Sequence, residues 1–179
     1  MIARRAPRSP REFARRARAI GALVLDVDGV LTDGRLYYGP DGEEWKVFHV
    51  QDGLALQGAQ LAGLEVIVLS GRTSRAVSRR MADLGIREVH QGVENKMAIF
   101  GALVARLGLT PGEVAYMGDD LPDLPLLASV GLALAPANAA VQVKGVAHRV
   151  TRRAGGSGAV REAVEAILRA RRAWPPRGI

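Results

Sequence analysis

The stretch Ala22-Leu23-Val24-Leu25-Asp26-Val27-Asp28-Gly29-Val30-Leu31-Thr32-Asp33-Gly34 decides how the rest of the chain is read. Leu23 to Leu25 have the continuous apolar character of a strand buried on both faces, and the run breaks into carboxylates where such a strand emerges at its carboxyl end. Open α/β sheets gather their chemistry at that edge. Side chains at i and i+2 project to one side of a strand, so Asp26 and Asp28 share a crevice if the extended geometry persists that far. Two crowded carboxylates repel, which favours a bound cation or a shared proton. Taken alone, the segment is equally compatible with a solvated acidic turn, because Asp and Gly are common turn formers.

Working outward, apolar runs predict strands at 22–26, 64–69, 86–90, 114–117, 132–135 and 148–151. Helical periodicity predicts helices at 11–19, 54–61, 74–84, 94–107, 122–129, 138–144 and 158–171. The alternation implies an α/β fold, a Rossmann-like parallel sheet between helical layers. One segment departs from the alternation. Leu36-Tyr37-Tyr38, a turn of Gly39-Pro40-Asp41-Gly42-Glu43 and then Trp45-Lys46-Val47-Phe48-His49-Val50 predict a β-hairpin over 35–50. A hairpin this apolar is expected to pack against other subunits or to cover the crevice.

A chain of 179 residues suits one domain, here 20–170, with a basic extension at 1–19 and a tail at 171–179. No apolar run approaches membrane-spanning length. Residues 1–18 lack the apolar segment and cleavage site of a signal peptide, so the expected compartment is the cytoplasm and no membrane partner is expected. The absence of cysteine excludes disulfides, zinc-thiolate sites and thiol catalysis. Of the net charge of +7, +6 resides in residues 1–18. Both termini therefore read as solvated or loosely docked arms. They lack the interleaved aromatics of a single-strand-binding surface, so nucleic acid is not the expected partner.

Three of the buried strands end in polar tips: Asp26-Val27-Asp28, Ser70-Gly71-Arg72 and Gly118-Asp119-Asp120. In a parallel sheet these tips lie at one edge and can converge. Carboxylates converging with a hydroxyl, without cysteine or a histidine pair, make a hard-oxygen site suited to Mg²⁺. Lys96, at a helix start, offers a cation for a phosphate oxygen, and together these are the parts that phosphoryl transfer needs.

The chain resembles the haloacid-dehalogenase superfamily of phosphatases, whose four motifs appear in order as Asp26-Val27-Asp28-Gly29-Val30, Ser70, Lys96 and Gly118-Asp119-Asp120-Leu121-Pro122-Asp123. It is further similar to the capless subgroup that contains 3-deoxy-D-manno-octulosonate 8-phosphate phosphatase. That similarity rests on Asp28 to Gly34, Gly42-Glu43-Glu44, the continuation Leu124-Pro125 and Gly155-Gly156-Ser157-Gly158-Ala159-Val160-Arg161-Glu162.

The resemblance implies that Asp26 is a nucleophile forming an aspartyl-phosphate, with Mg²⁺ held by Asp26, the main-chain carbonyl of Asp28 and Asp119. It implies that Asp28 is the general acid and then the base, that Ser70 donates to a phosphoryl oxygen, and that Asp120 and Asp123 orient Lys96 or metal waters. Ser70 suits a helix N-cap equally well. His49, Gln51, Asp52 and Gly53 would line a sugar site, with Gly71, Arg72, Arg80 and Lys96 meeting the substrate. Family members commonly carry arginine where this chain has Gln51, Gln57 and Ser157, and the glycine-rich stretch around Ser157 is one that reaches a neighbouring subunit's site.

The resemblance also implies a homotetramer joined at its hairpins and a sugar-phosphate substrate. That substrate is 3-deoxy-D-manno-octulosonate 8-phosphate, of lipopolysaccharide synthesis, or else a nine-carbon acid sugar 9-phosphate. A non-catalytic partner protein that keeps the fold is the rival of a different class.

Overall fold

Four buried apolar residues, Ala22–Leu25, form β1 at the middle of a six-stranded sheet. In the computed structural model, which describes residues 9–176 and 178, the chain runs α1 (Pro10–Ala19), β1, a hairpin of β2 (Tyr37–Tyr38) and β3 (Glu44–Trp45), α2 (Val50–Leu61), β4 (Glu65–Leu69), α3 (Arg75–Asp83) and β5 (Glu88–His90). It continues through α4 (Lys96–Arg106), β6 (Val114–Met117), α5 (Leu124–Ser129), β7 (Leu132–Ala135), α6 (Val141–Val146), β8 (Arg149–Val150) and α7 (Ala159–Ala170), with single 3₁₀ turns before β6 and α5. The sheet order is β5-β4-β1-β6-β7-β8 and every pairing in it is parallel.

The register positions the site. Leu25 pairs with Val68 of β4 on one side and with Met117 of β6 on the other. Asp26, Ser70 and Asp119, each one or two residues beyond those partners, therefore leave the sheet at the same edge. Alternation sorts the strand residues into two layers. Leu23, Leu25, Val66, Val68, Ala115 and Met117 face α2, α3 and α7 with α1, whereas Ala22, Val24, Ile67, Leu69 and Tyr116 face α4, α5 and α6.

The structure departs from expectation at two places. The hairpin is far shorter than 35–50: Tyr37 pairs with Trp45 and Tyr38 with Glu44, and no pairing follows. Directly after β3, Lys46 turns its side chain inward against Asp28 and Glu44, where it is only 2% exposed. Val50 then opens α2, four residues earlier than periodicity placed that helix.

The second departure concerns the basic start. Residues 10–19 are docked rather than loosely attached. Ser9 caps α1 by accepting from the Glu12 N–H, Ala17 is fully buried and Phe13 packs on the core. The arginines hold the helix down: Arg16 Nη1 donates to the Gly131 carbonyl at 2.7 Å and Arg18 Nε to that of Ala170 at 3.0 Å. At the other end, Trp174 packs on the same core beneath the Arg161 guanidinium, 4.7 Å from the ring centre. Arg4, Arg5 and Arg8 lie outside the described residues. Among the described residues, no helix is long and apolar enough to cross a membrane.

Candidate active site

Asp26 leaves β1 with its main-chain N–H still bonded to the Met117 carbonyl, at 3.0 Å, so the sheet itself fixes its backbone. Its Oδ1 accepts from the Val27 N–H at 2.7 Å, and its Oδ2 stands 3.0 Å from Lys96 Nζ. Lys96 is the first residue of α4, which Asn95 caps by accepting from the Ala98 N–H at 3.1 Å. The same ammonium lies 2.7 Å from Asp123 Oδ1 and 3.2 Å from the Tyr116 hydroxyl.

Asp123 is 1% exposed and fully committed. Oδ1 accepts from Tyr116 Oη at 2.6 Å as well as from Lys96, while Oδ2 accepts from the N–H groups of Asp119 and Asp120 at 2.9 and 3.3 Å. A carboxylate holding four donors is an anchor. It orients Lys96 and shapes the loop that carries Asp119.

Asp119 lies so close to Gly29 that a Cβ there would sit 2.0 Å from its Oδ2, and Gly29 has φ +79°, a conformation glycine adopts freely. Carboxylate oxygens of Asp26, Asp119 and Asp123 lie within 4.8 Å of one another. Burial raises the Asp26 carboxyl to about 6, helped by the charge of Asp123 and opposed by Lys96. Burial likewise raises Asp119 to about 7, with Asp26, Asp123 and Asp120 adding to it. Gathered oxygens with only one ammonium between them fit a hard divalent cation, for which the family resemblance expects Asp26, Asp119 and the Asp28 carbonyl as ligands.

The crevice over these groups has a volume of about 690 Å³, and Asp28, Ser70, Gly71 and Arg72 also line it. The Ser70 hydroxyl is buried and accepts from the Arg72 N–H at 3.2 Å. It does not cap α3, because Ser74 holds that position. Asp120 stands at the crevice wall, its side chain accepting from the Leu121 N–H at 2.8 Å. Asp28 meets Lys46 and, at 3.8 Å, Arg72 Nε.

Several residues expected at a sugar site do not reach this crevice. His49, Asp52, Gly53 and Arg80 line a separate pocket of only about 10 Å³ beside Leu31 and Phe48, and exposed Gln51 at the start of α2 lines neither. In this structure Asp52 serves a helix end. It is 2% exposed, and its carboxylate accepts from the N–H groups of Gly158 and Arg161 at 3.2 and 2.6 Å, serving the first turn of α7. Gly53 seats Arg80, whose Nη2 would lie 2.2 Å from a Cβ at that position. The glycine-rich stretch lies against this chain's own Asp28–Gly29 loop: a Cβ on Gly155 would fall 1.9 Å from the Gly29 carbonyl oxygen.

Sequence reasoning missed Tyr116, Glu44 and Lys46. Tyr116 is the lone polar aromatic in a buried strand leading to Gly118-Asp119-Asp120, and Lys46 is the one cation in the apolar run from Trp45 to Val50. Either oddity was a usable signal, since buried polar groups need partners.

A family model for haloacid dehalogenase-like hydrolases matches residues 88–163. The chain is 45% identical over 153 residues to 3-deoxy-D-manno-octulosonate 8-phosphate phosphatase KdsC of Escherichia coli K12, covering 86% of this chain and 81% of that protein. Among solved structures it is similar to a probable YrbI family phosphatase from Pseudomonas syringae, at 46% identity and a TM-score of 0.88 over 90% of this chain and 92% of that one. It is also similar to the 3-deoxy-D-manno-octulosonate 8-phosphate phosphatase of Moraxella catarrhalis in complex with magnesium, phosphate and KDO, at 39% identity and a TM-score of 0.89 over 91% and 94% of the two chains. With nearly half its residues shared over most of its length, the chain belongs to the haloacid dehalogenase-like hydrolases and, within them, to the 3-deoxy-D-manno-octulosonate 8-phosphate phosphatase family.

Proposed function

We propose that this protein is a Mg²⁺-dependent phosphatase that releases phosphate from 3-deoxy-D-manno-octulosonate 8-phosphate through an aspartyl-phosphate on Asp26. The observation that carries this reading is the meeting of Asp26, Lys96 and Asp119 at one end of a crevice in a chain 45% identical to a phosphatase of that name.

In the first step a carboxylate oxygen of Asp26 bonds to phosphorus as the bond from phosphorus to the sugar oxygen breaks, and Asp28 gives its proton to the departing oxygen. In the second, water attacks the phosphoryl group, Asp28 takes its proton, and phosphate leaves with Asp26 restored. Lys96 and the Ser70 hydroxyl meet the phosphoryl oxygens whose charge grows in the transition state. Asp123 and Tyr116 hold Lys96 in place from behind. Bound Mg²⁺ supplies the positive charge that lets an anionic nucleophile approach a phosphate dianion. Arg72, at the crevice wall, offers positive charge to the substrate carboxylate.

The assembly is a homotetramer joined through the hairpin. Supporting this, Tyr38, Trp45 and Val47 are 62%, 55% and 62% exposed on one short segment. Sedimentation of the wild type against Trp45→Arg tests it: a tetramer that dissociates is expected, and a monomeric wild type contradicts it.

The substrate is tested by phosphate release from a panel holding the eight-carbon acid sugar 8-phosphate, a nine-carbon acid sugar 9-phosphate and a neutral hexose phosphate, each with Mg²⁺ and with chelator. The expected ranking puts the eight-carbon acid first, with all turnover metal-dependent. Because Gln51 supplies no cation and Arg80 lies outside the crevice, a higher rate on the nine-carbon acid would reassign the sugar and leave the chemistry intact.

A further inference from the structure

We propose that Lys46 and Glu44, on the hairpin, are positioning residues that aim Asp28 at the leaving oxygen, making the hairpin part of the catalytic apparatus; this rests on the phosphatase reading above. The observation is a closed ring of charge. Lys46 Nζ lies between Asp28 Oδ1, which it touches, and Glu44 Oε1 at 2.7 Å. Glu44 Oε2 is 2.5 Å from Arg72 Nη2, and Arg72 Nε is 3.8 Å from Asp28 Oδ2.

Two carboxylates and two cations thus alternate, and each oxygen of Asp28 faces a different cation. The Lys46 side chain is 2% exposed, so its ammonium has given up water and depends on these two acids. Glu44 pairs with Tyr38 in the hairpin, which gives the ring a backbone anchor away from the loop that carries Asp28. A short carboxylate on the loop after β1 would otherwise rotate. Held from two sides, it keeps one direction, the condition for proton transfer in a preorganised site. The ring also ties Arg72 to the hairpin, so the group offered to the substrate carboxylate and the group offered to the leaving oxygen are set by one frame.

The test compares Lys46→Met, Lys46→Arg and the near-isosteric Glu44→Gln, on the acid sugar phosphate and on p-nitrophenyl phosphate, whose leaving group departs without a proton. For Lys46→Met, kcat on the sugar phosphate is expected to fall about a hundredfold, the scale of a misaimed general acid, with KM changed less than about threefold. The first-turnover burst of p-nitrophenol should stay near the wild-type rate while its steady state slows, since only the second step needs Asp28. Lys46→Arg should recover part of the loss, and Glu44→Gln should show a smaller loss with the same split between substrates.

Equal losses in the burst and on the sugar phosphate would show a merely structural role and overturn the proposal, as would unchanged kcat in both Lys46→Met and Glu44→Gln. A wild type that hydrolyses neither substrate would instead remove the phosphatase reading, and the proposal with it.

Discussion

Lys96 Nζ stands 3.0 Å from Asp26 Oδ2, and the same ammonium is the cation shared with Asp123 behind it. The Lys96 side chain is 11% exposed, so the pair is held with little water around it. Removing one member of such a cluster leaves charge buried without compensation. Lys96→Met is expected to lower folding stability by about 3 kcal/mol at neutral pH, and to reduce kcat by more than about a hundredfold. Denaturant titration and phosphate-release kinetics check the two effects, and added Mg²⁺ should recover part of the stability but not the rate. A variant of wild-type stability and rate would mean that the ammonium matters to neither.

Burial is the leading cause of the raised carboxyls of Asp26 and Asp119, at about 6 and about 7, and it fixes the sign of the pH dependence. An unfolded carboxyl titrates near 3.8, so between that value and about 7 the folded, metal-free protein binds more protons than the unfolded chain. Its stability therefore falls as pH rises through this window, and the penalty is complete above it. Glu44 and Glu88, held low by their cation partners, act oppositely, below their ordinary value of 4.5. Subtracting Asp119→Asn from wild type isolates the Asp119 contribution. Because Mg²⁺ competes with those protons, its stabilising shift should be small at pH 5 and large at pH 8. A metal-induced shift independent of pH would contradict the ligand assignment.

Gly29 holds φ +79° with the Asp119 carboxylate where its Cβ would be. Gly29→Ala is expected to cost about 1–3 kcal/mol from backbone strain and, beyond that, to abolish the Mg²⁺-dependent rise in melting temperature by displacing Asp119. Calorimetry with and without metal reads both. Retention of the full metal response would show that Asp119 is not a ligand.

Asp52 and the first turn of α7 give a way to separate architecture from chemistry. With its two oxygens on the N–H groups of Gly158 and Arg161, Asp52→Ala should lose about 1–2 kcal/mol of stability, the usual scale for a lost cap. Its KM should stay within about twofold of wild type, because its carboxylate is engaged by α7 and does not line the crevice. A large rise in KM at near-native stability would return Asp52 to the sugar site.

The parts legible in the sequence were those set by the chain's own periodicity. Leu23–Leu25, Leu64–Leu69 and Val114–Met117 read as buried strands from their apolar runs, and a parallel sheet brings their polar ends together. What was not legible depends on how separate elements are rotated against one another. Arg80 and Gly53 sit on α3 and α2, which bring them together at a pocket apart from the crevice. The inward position of Lys46 involves Asp28, a partner eighteen residues away on another segment, as well as Glu44. In α1, the dense arginines masked a buried stripe, Phe13 and Ala17 four residues apart.

On the proposed reading, phosphate passes through a covalent bond to Asp26. The most direct test is a single turnover with radiolabelled sugar phosphate and Mg²⁺, quenched in acid and digested. Label is expected on the peptide bearing Asp26, decaying as free phosphate appears, and none in Asp26→Asn. Label on another residue, or phosphate released at the wild-type rate by Asp26→Asn, would contradict it.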